Sequence, residues 1–200
     1  MGNRVHISFD GLCAWILIFL MLFVPMQWII GWTIAVLIHE LGHLAILFIF
    51  RVKIHAIYIG AFGTEIETDA MHPIAEAVCA ISGPGVGLLA VLLREKIPFA
   101  AVSAVIQSAY NLLPVFPLDG GRVVNALMAF FLPHDVAAGI SRKISQLAIA
   151  IVFICGLFVS TKYHLGFWPV LFPALPLIFI VRKNSLQCRQ KNSTIQKIKL

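Results

Sequence analysis

The sequence predicts an all-α polytopic membrane protein with about six transmembrane helices and a short β-like, membrane-associated hairpin between the second and the third. Hydrophobic residues make up 60% of the 200-residue chain and charged residues only 12%. The mean hydropathy is +0.94, far above the balance of a soluble domain. Apolar stretches long enough to cross ~30 Å of hydrocarbon also recur along the chain.

Six stretches meet that length requirement, and they are, in chain order, 13–30, 31–50, 74–93, 97–117, 145–161 and 165–181. The turn between the first two is expected near Pro25 to Gly31, and the segment 123–132 is too short for a seventh span. The first stretch is too long for a signal-peptide core and has no small-x-small cleavage site, so we expect it to be retained. Residues 1–182 are therefore predicted to form one intramembrane domain, followed by a basic cytosolic tail over residues 183–200.

The basic residues predict the orientation. With six spans and a cytosolic N-terminus, twelve of the 15 Lys and Arg residues fall on the cytosolic side, as the positive-inside rule requires. We therefore expect a multi-pass protein of the cell membrane with both termini in the cytosol. The net charge of +6 then reflects topology and attraction to anionic lipid of the bilayer. A nucleic-acid partner is not expected, because no basic patch interleaves with base-stacking aromatic residues in a soluble region.

A His-Glu-Leu-Gly-His sequence from His39 to His43 lies inside an apolar run. On a helix, residues four apart share one face, so both imidazoles can bind one ion. H-E-x-x-H is the zinc-hydrolase arrangement, in which Glu40 stands beside the metal and acts as the base. The composition gives roughly 0.006 chance matches in a chain of this length. Ionisable groups at membrane depth also persist mainly where they pair or do chemistry, so a Zn²⁺ site is predicted.

A hydrolytic zinc needs a third protein ligand, and Asp119 is the strongest candidate. It stands at the end of the fourth predicted span, after Pro114 and Pro117, which interrupt that helix and free backbone groups at membrane depth. Irregular backbone there is tolerated only when it is buried in protein or lines a wet cavity. A solvated aspartate in a plain cytosolic turn is the alternative. The other acidic residues precede the first span or lie in connections and loops, and they are Asp10, Glu65, Glu67, Asp69, Glu76, Glu95 and Asp135.

The polar connection over residues 58–69 is predicted to bind an extended peptide. Its first half is loop-like, and its second half alternates polar with apolar residues as an edge strand does. An edge strand can capture a peptide by main-chain pairing, which makes Gly63, Thr64, Glu65 and Ile66 candidate substrate-binding residues. A hairpin that only joins two spans is the alternative.

Three motifs in this order resemble the site-2 protease family of intramembrane zinc metalloproteases: HELGH with the later GAFGTEIE, SGP at 82–84, and NLLPVFPLDGGR at 111–122. The likeness covers about residues 5–182 and is greatest to the subgroup that processes a sporulation sigma-factor precursor. It implies that His39, His43 and Asp119 bind zinc and that Glu40 is the catalytic base. It also implies a membrane-associated or transmembrane regulatory protein as substrate, cut near the cytosolic face.

The chain also differs from such relatives. No PDZ-like insertion interrupts the predicted spans, and a short basic tail stands where the sporulation subgroup continues into a CBS domain. The sequence therefore does not name a partner, although an inhibitory or gating membrane partner is compatible with this interpretation. Asn111 is the predicted extra polar group for the substrate backbone or the developing oxyanion, and an interhelical hydrogen bond is the alternative role for it.

Two other classes of function use the same residues. A metal or proton transporter would spread its ionisable groups along a path through several spans and often shows an inverted repeat, whereas here these groups gather at one depth. A catalytically dead scaffold would bind membrane segments without needing Glu40 as a base. Hydrolysis is therefore the preferred hypothesis, with transport as its alternative.

Overall fold

The computed structural model describes residues 6–9, 11–60 and 63–163, which form six helices and one small sheet. The elements in chain order are β1 (His6–Phe9), α1 (Gly11–Phe23), α2 (Met26–Ile49), β2 (Ile54–Gly60), β3 (Gly63–Thr68), α3 (Pro73–Leu89) with a 3-10 turn (Ala90–Leu93), α4 (Pro98–Asn111), α5 (Asp119–Phe131) and α6 (His134–Tyr163). The sixth predicted span and the predicted tail lie outside the described residues.

Three of the described helices are long and apolar enough to cross a membrane: Met26–Ile49, Pro73–Leu93 and Asp135–Tyr163. At 1.5 Å per residue, the 24 residues of α2 rise about 36 Å, more than the ~30 Å of a hydrocarbon core. Large apolar side chains face outward on these helices, with Phe48 85% and Leu92 77% exposed. The chain is therefore a mostly helical membrane protein, as predicted.

The predicted count of six spans is not confirmed. The first predicted span gives a 13-residue α1, because Pro25 interrupts the helix and α2 restarts at Met26. The fourth gives a 14-residue α4 that ends at Asn111, since Pro114 cannot continue the hydrogen-bond ladder. The segment judged too short for a span is α5, and α6 begins at His134, well before the predicted fifth span.

The predicted hairpin is present, but it belongs to a three-stranded sheet. Strands β2 and β3 pair antiparallel with Tyr58 opposite Glu65 and Ile57 opposite Ile66. Strand β1, which the sequence analysis did not predict, pairs parallel with β2. Because β1 precedes α1 and β2 follows α2, both strands lie at the same end of this helix pair. The strand order β1-β2-β3 leaves the outer edge of β3 without a strand partner among the described residues.

The end of α2 directs the chain into this sheet. Arg51 has a left-handed backbone with φ of 54°. Its N–H donates to the Phe48 carbonyl at 3.1 Å, and the Val52 N–H donates to the Leu47 carbonyl at 3.0 Å. These two bonds form a Schellman motif, which satisfies carbonyls that the helix end would leave unpaired. The turn places β2 directly beyond the segment that carries both histidines.

Small residues bring α2, α3 and α4 together. Lipid supplies little hydrophobic drive for helix association, so close backbone contact is the main source of packing energy. Ala35, Ala90 and Ala104 form a buried cluster between these helices. Gly31 lies against the backbone of Phe99 and Gly42 against the Ser82 carbonyl, where a Cβ would come within 2.8 Å and 2.7 Å, respectively. The tight contacts hold the histidine face of α2 against its neighbours.

The two ends of the α3 span should be accessible from opposite sides of the membrane. We expect Glu95→Cys, beyond the 3-10 turn, to react with an impermeant thiol reagent in intact cells. Glu67→Cys on β3 should react only after permeabilisation, since the sheet lies at the other end of α3 and the predicted orientation puts it in the cytosol. Both positions are exposed, and the parent chain gives the background labelling. Equal labelling of the two variants in intact cells would contradict this topology.

Candidate metal centre

Two buried histidines face the same point from α2. His39 and His43 are only 3% and 6% exposed, and their Nε2 atoms are 3.2 Å apart. One helical turn separates them, so both rings leave the helix on the same side. Imidazoles this close at membrane depth need a common acceptor or a common metal ion.

Asp119 meets these histidines from the first turn of α5. Its Oδ2 lies 3.1 Å from His39 Nε2 and 3.3 Å from His43 Nε2, and the residue is 7% exposed. The sequence predicted Asp119 at the end of the fourth span, whereas in the structure it is the first residue of a new helix. A carboxylate is favoured there, because the positive end of the helix dipole points at it.

The three donor atoms fit a zinc ion. Tetrahedral zinc with bonds of 2.0–2.1 Å holds neighbouring ligand atoms about 3.3–3.4 Å apart. The separations among the two Nε2 atoms and the Asp119 Oδ2 are 3.1, 3.2 and 3.3 Å. His39, His43 and Asp119 are also a buried group with metal-ligating atoms in mutual reach. Three protein ligands leave the fourth position for water or substrate, so this observation supports the predicted Zn²⁺ cofactor.

A backbone carbonyl of α3 sets the orientation of the His43 ring. The carbonyl oxygen of Cys79 can only accept, so His43 Nδ1 donates to it, at 2.8 Å. The lone pair of Nε2 is thereby left facing the centre, which is the usual arrangement of a metal-binding histidine. The Ser82 hydroxyl lies 2.6 Å from the same Cys79 carbonyl and 3.0 Å from the Gly42 carbonyl, and so ties α3 to α2.

Gly83 leaves room for the same ring. A Cβ at this position would overlap the Nε2 and Cε1 atoms of His43. The glycine is therefore required by the close approach of α3 to the imidazole. Two residues further along α3, a Cβ on Gly85 would meet nothing within 4 Å.

The second oxygen of Asp119 has a cationic neighbour. Arg122 is one turn along α5, and its Nη1 lies 3.7 Å from the Asp119 Oδ1. The two carboxylate oxygens therefore face different groups, Oδ2 the imidazoles and Oδ1 the guanidinium. This division favours binding of a metal through Oδ2 alone.

Glu40 and Asn111 also lie at the centre. Glu40 is half-buried next to His39, and the Thr64 side chain of β3 lies near its carboxylate. The Asn111 Nδ2 is 3.4 Å from His39 Nε2. The structure thus brings Glu40, Asn111 and Thr64 to the predicted metal ligands.

The other predicted peptide-binding residues, Gly63, Glu65 and Ile66, lie on β3 beside Thr64. Ile66 is half-buried. Their backbone continues the edge that begins next to the Glu40 carboxylate.

Sequence reasoning missed three contacts of the centre. Cys79 contacts His43 through its main-chain carbonyl, and this contact cannot be predicted from the type of the residue. Gly83 stands in the SGP motif, but the sequence does not show which side chain it contacts. Arg122 was counted only as a topological charge, although its i,i+3 spacing from Asp119 was a usable signal.

Comparisons with known proteins agree with this geometry. No family model matches the chain. The sequence is 29% identical over 156 residues to stage IV sporulation protein FB of Bacillus subtilis, covering 68% of this chain and 51% of that protein. It is 25% identical over 153 residues to a zinc metalloprotease of Methanocaldococcus jannaschii, covering 68% and 42%. It is 26% identical over 151 residues to a putative zinc metalloprotease of Synechocystis, covering 62% and 40%.

The fold is likewise found among solved structures. The site-2 protease from Methanocaldococcus jannaschii superposes with a TM-score of 0.62 at 19% identity, covering 92% of this chain and 93% of that one. At this identity the likeness shows a shared fold. The matches to the curated relatives span about half of their length or less.

Fold and site together define a helical membrane protein with a buried His-His-Asp centre of the zinc-metalloprotease type. The chain is thus similar in sequence to a sporulation protein and to two zinc metalloproteases, and similar in fold to a site-2 protease, in agreement with the resemblance seen in its motifs.

Replacing Gly83 should damage the metal centre. Gly83→Ala places a methyl group in the His43 ring, so the ring must turn away from Asp119. We expect zinc affinity to fall roughly tenfold or more, as when the partner that orients a ligand is lost. The control is Gly85→Ala on the same helix, which should keep its zinc because its Cβ meets open space. Equal zinc affinity in both variants, measured by competition with a chelator, would contradict the role of Gly83.

Proposed function

We propose that this protein is a zinc metalloendopeptidase that cuts a membrane-associated or transmembrane regulatory protein close to the cytosolic face of the membrane, and so carries out regulated intramembrane proteolysis. The observation that carries the proposal is the triangle of His39 Nε2, His43 Nε2 and Asp119 Oδ2, with sides of 3.1–3.3 Å, next to Glu40. The zinc metalloproteases among the relatives support the same class of reaction.

Each residue of the centre has its own role in the proposed reaction. His39, His43 and Asp119 would hold the zinc ion, which supplies a Lewis acid that polarises the scissile carbonyl and acidifies water. Glu40 would take the proton of the attacking water and deliver it to the leaving amine. The nearby Thr64 side chain would help to hold this carboxylate beside the metal ligands. Asn111 lies 3.4 Å from His39 Nε2, where its amide could donate to the substrate carbonyl.

The substrate would bind as an extended strand along β3. A transmembrane helix hides its carbonyls in its own hydrogen bonds, so it must unwind before it can be cut. Just beyond the end of β3, the Asp69 N–H donates to the carbonyl of Lys53, which directly precedes β2. N–H groups alternate in direction along a strand. The N–H groups of Thr64 and Ile66 therefore point to the free edge of β3. An extended peptide could pair there, beside Glu40.

The remaining parts of the proposal concern setting and partners. The chain would be a multi-pass protein of the cell membrane with both termini cytosolic, and its substrate a membrane-embedded protein. An inhibitory or gating membrane partner would act on access to the β3 edge. The transporter alternative gains no support, because the ionisable ligands converge on one point and two of the relatives are named as zinc metalloproteases.

Substitutions should separate metal binding from hydrolysis. The parent protein should hold about one zinc per chain, and His39→Ala and Asp119→Ala should lose it, since two ligands remain. Glu40→Gln should keep its zinc, because Glu40 is not a ligand, and lose roughly 10²- to 10⁴-fold in hydrolysis, because an amide cannot accept the proton. Metal analysis measures the first effect. Comparing new N-termini in membrane fractions with parent and Glu40→Gln enzyme measures the second. Full zinc content in Asp119→Ala, or parent-like products from Glu40→Gln, would contradict these roles.

The edge of β3 can be tested by removing one outward N–H. Ile66→Pro deletes the donor that points away from β2, so the β2–β3 ladder should survive while substrate pairing is lost. We expect turnover to fall roughly tenfold or more with zinc content unchanged. Glu65→Gln, which changes only a side chain, should cost little. Normal cleavage by folded, zinc-loaded Ile66→Pro would show that the hairpin is only a connection between helices.

A further inference from the structure

Asp119, the third proposed metal ligand, follows a loop that packs against α6. Residues 112–118 join the end of α4 to Asp119, and few of their backbone groups can bond within a regular element. Within the loop, the Val115 N–H donates to the Leu113 carbonyl at 2.7 Å and the Leu118 N–H to the Val115 carbonyl at 2.8 Å. Phe116, three residues before the ligand, donates its N–H to the hydroxyl of Ser145 on α6 at 3.0 Å.

The Ser145 hydroxyl is held in one orientation. Its proton goes to the Ser141 carbonyl one turn earlier, at 2.9 Å, so its lone pairs face the Phe116 N–H. The residue is only 6% exposed, and water has little access to replace this bond. A buried N–H that loses its acceptor carries a desolvation penalty unless the backbone moves to find another.

Apolar packing reinforces the same contact. Val115 is fully buried and Leu118 is 8% exposed, and both pack with Ala148, one turn beyond Ser145. On the opposite side, a Cβ on Gly121 would overlap the backbone of Val115 and Phe116. The loop is therefore clamped between the first turn of α5 and the face of α6.

We propose that Ser145 is a positioning residue of the metal centre: by holding Phe116 it fixes the loop that presents Asp119, so that α6 sets the zinc affinity of a site built from α2 and α5. This inference rests on the proposed zinc site but not on the identity of the substrate. Without the hydroxyl, the loop satisfies Phe116 by shifting, and the Asp119 Oδ2 leaves its place beside the two imidazoles. The alternative is that Ser145 contributes only to the general stability of the fold.

Ser141 provides a matched control. It lies one turn away on the same helix, is 4% exposed, and its Oγ has no hydrogen-bond partner among the described residues. Its main-chain carbonyl, which accepts from Ser145, remains in Ser141→Ala. The two serine-to-alanine changes therefore remove the same atoms from the same helix, and only one of them releases the loop.

The test compares zinc affinities of the detergent-purified full chain by competition with a chelating dye. Ser145→Ala should bind Zn²⁺ roughly tenfold or more weakly, the usual loss when a group that orients a ligand is removed, and Ser141→Ala should match the parent. The visible spectrum of the Co²⁺-substituted protein should change in Ser145→Ala alone, because the ligand geometry changes. A role in stability only would instead lower the melting temperature of the metal-free protein and leave affinity and spectrum intact.

The results test the proposed function and the role of Ser145 separately. A parent chain that binds no Zn²⁺ overturns the proposed function, whereas a zinc-binding parent with equal affinities in the two serine variants overturns the role of Ser145. Should Ser145→Ala fail to fold, Ser145→Cys gives the same comparison with a near-isosteric, weaker acceptor. Its zinc affinity should then lie below that of the parent and of Ser141→Ala, and parent-like affinity would overturn the inference.

Discussion

The convergence of one carboxylate on two imidazoles, in the interior of a helical membrane protein, governs this structure. Asp119 buries a charged group where an unpaired carboxylate would be strongly unfavourable, and its Oδ2 is tolerable there only against the His39 and His43 nitrogens or a shared metal ion. The surrounding structure meets this requirement. α3 approaches α2 closely enough for the Cys79 carbonyl to orient His43, and the chain breaks after Asn111 so that α5 can begin at the carboxylate.

Two residues, Thr64 and Ser145, connect the His39-His43-Asp119 centre to β3 and to α6. On one side, the Thr64 side chain lies near the Glu40 carboxylate, so the free edge of β3 begins beside the group that would move protons. On the other side, Ser145 holds the backbone of Phe116 and ties the ligand loop to α6. A peptide bound to β3 would therefore act on the centre through Glu40. A displacement of α6 would act on it through the loop that carries Asp119.

Much of the site could be predicted because it is encoded locally. The spacing of His39 and His43 needs only a helix, the apolar runs need only a count of residues, and Pro114 must end α4 wherever that helix lies in the membrane. The edge-strand alternation around Thr64 is equally local. By contrast, β1 is a four-residue strand whose pairing partner lies about fifty residues away, so it leaves no pattern in the sequence. The break before α2 is local again: a turn was expected near Pro25 to Gly31, and α2 begins at Met26.

The sequence by itself determined that this is a mostly helical membrane protein, and it determined the histidine pair on α2, the neighbouring Glu40 and the hairpin, because each depends on residue type and short-range periodicity. Only the tertiary structure decided which acid completes the triangle, which oxygen of Asp119 faces the histidines, and which backbone groups hold the ligands in place. The physical reason is that every residue carries a main-chain carbonyl and every residue except proline a main-chain N–H, so residue type does not mark the Cys79 carbonyl or the Phe116 N–H. Their roles arise from the distances to His43 and Ser145 that helix packing creates.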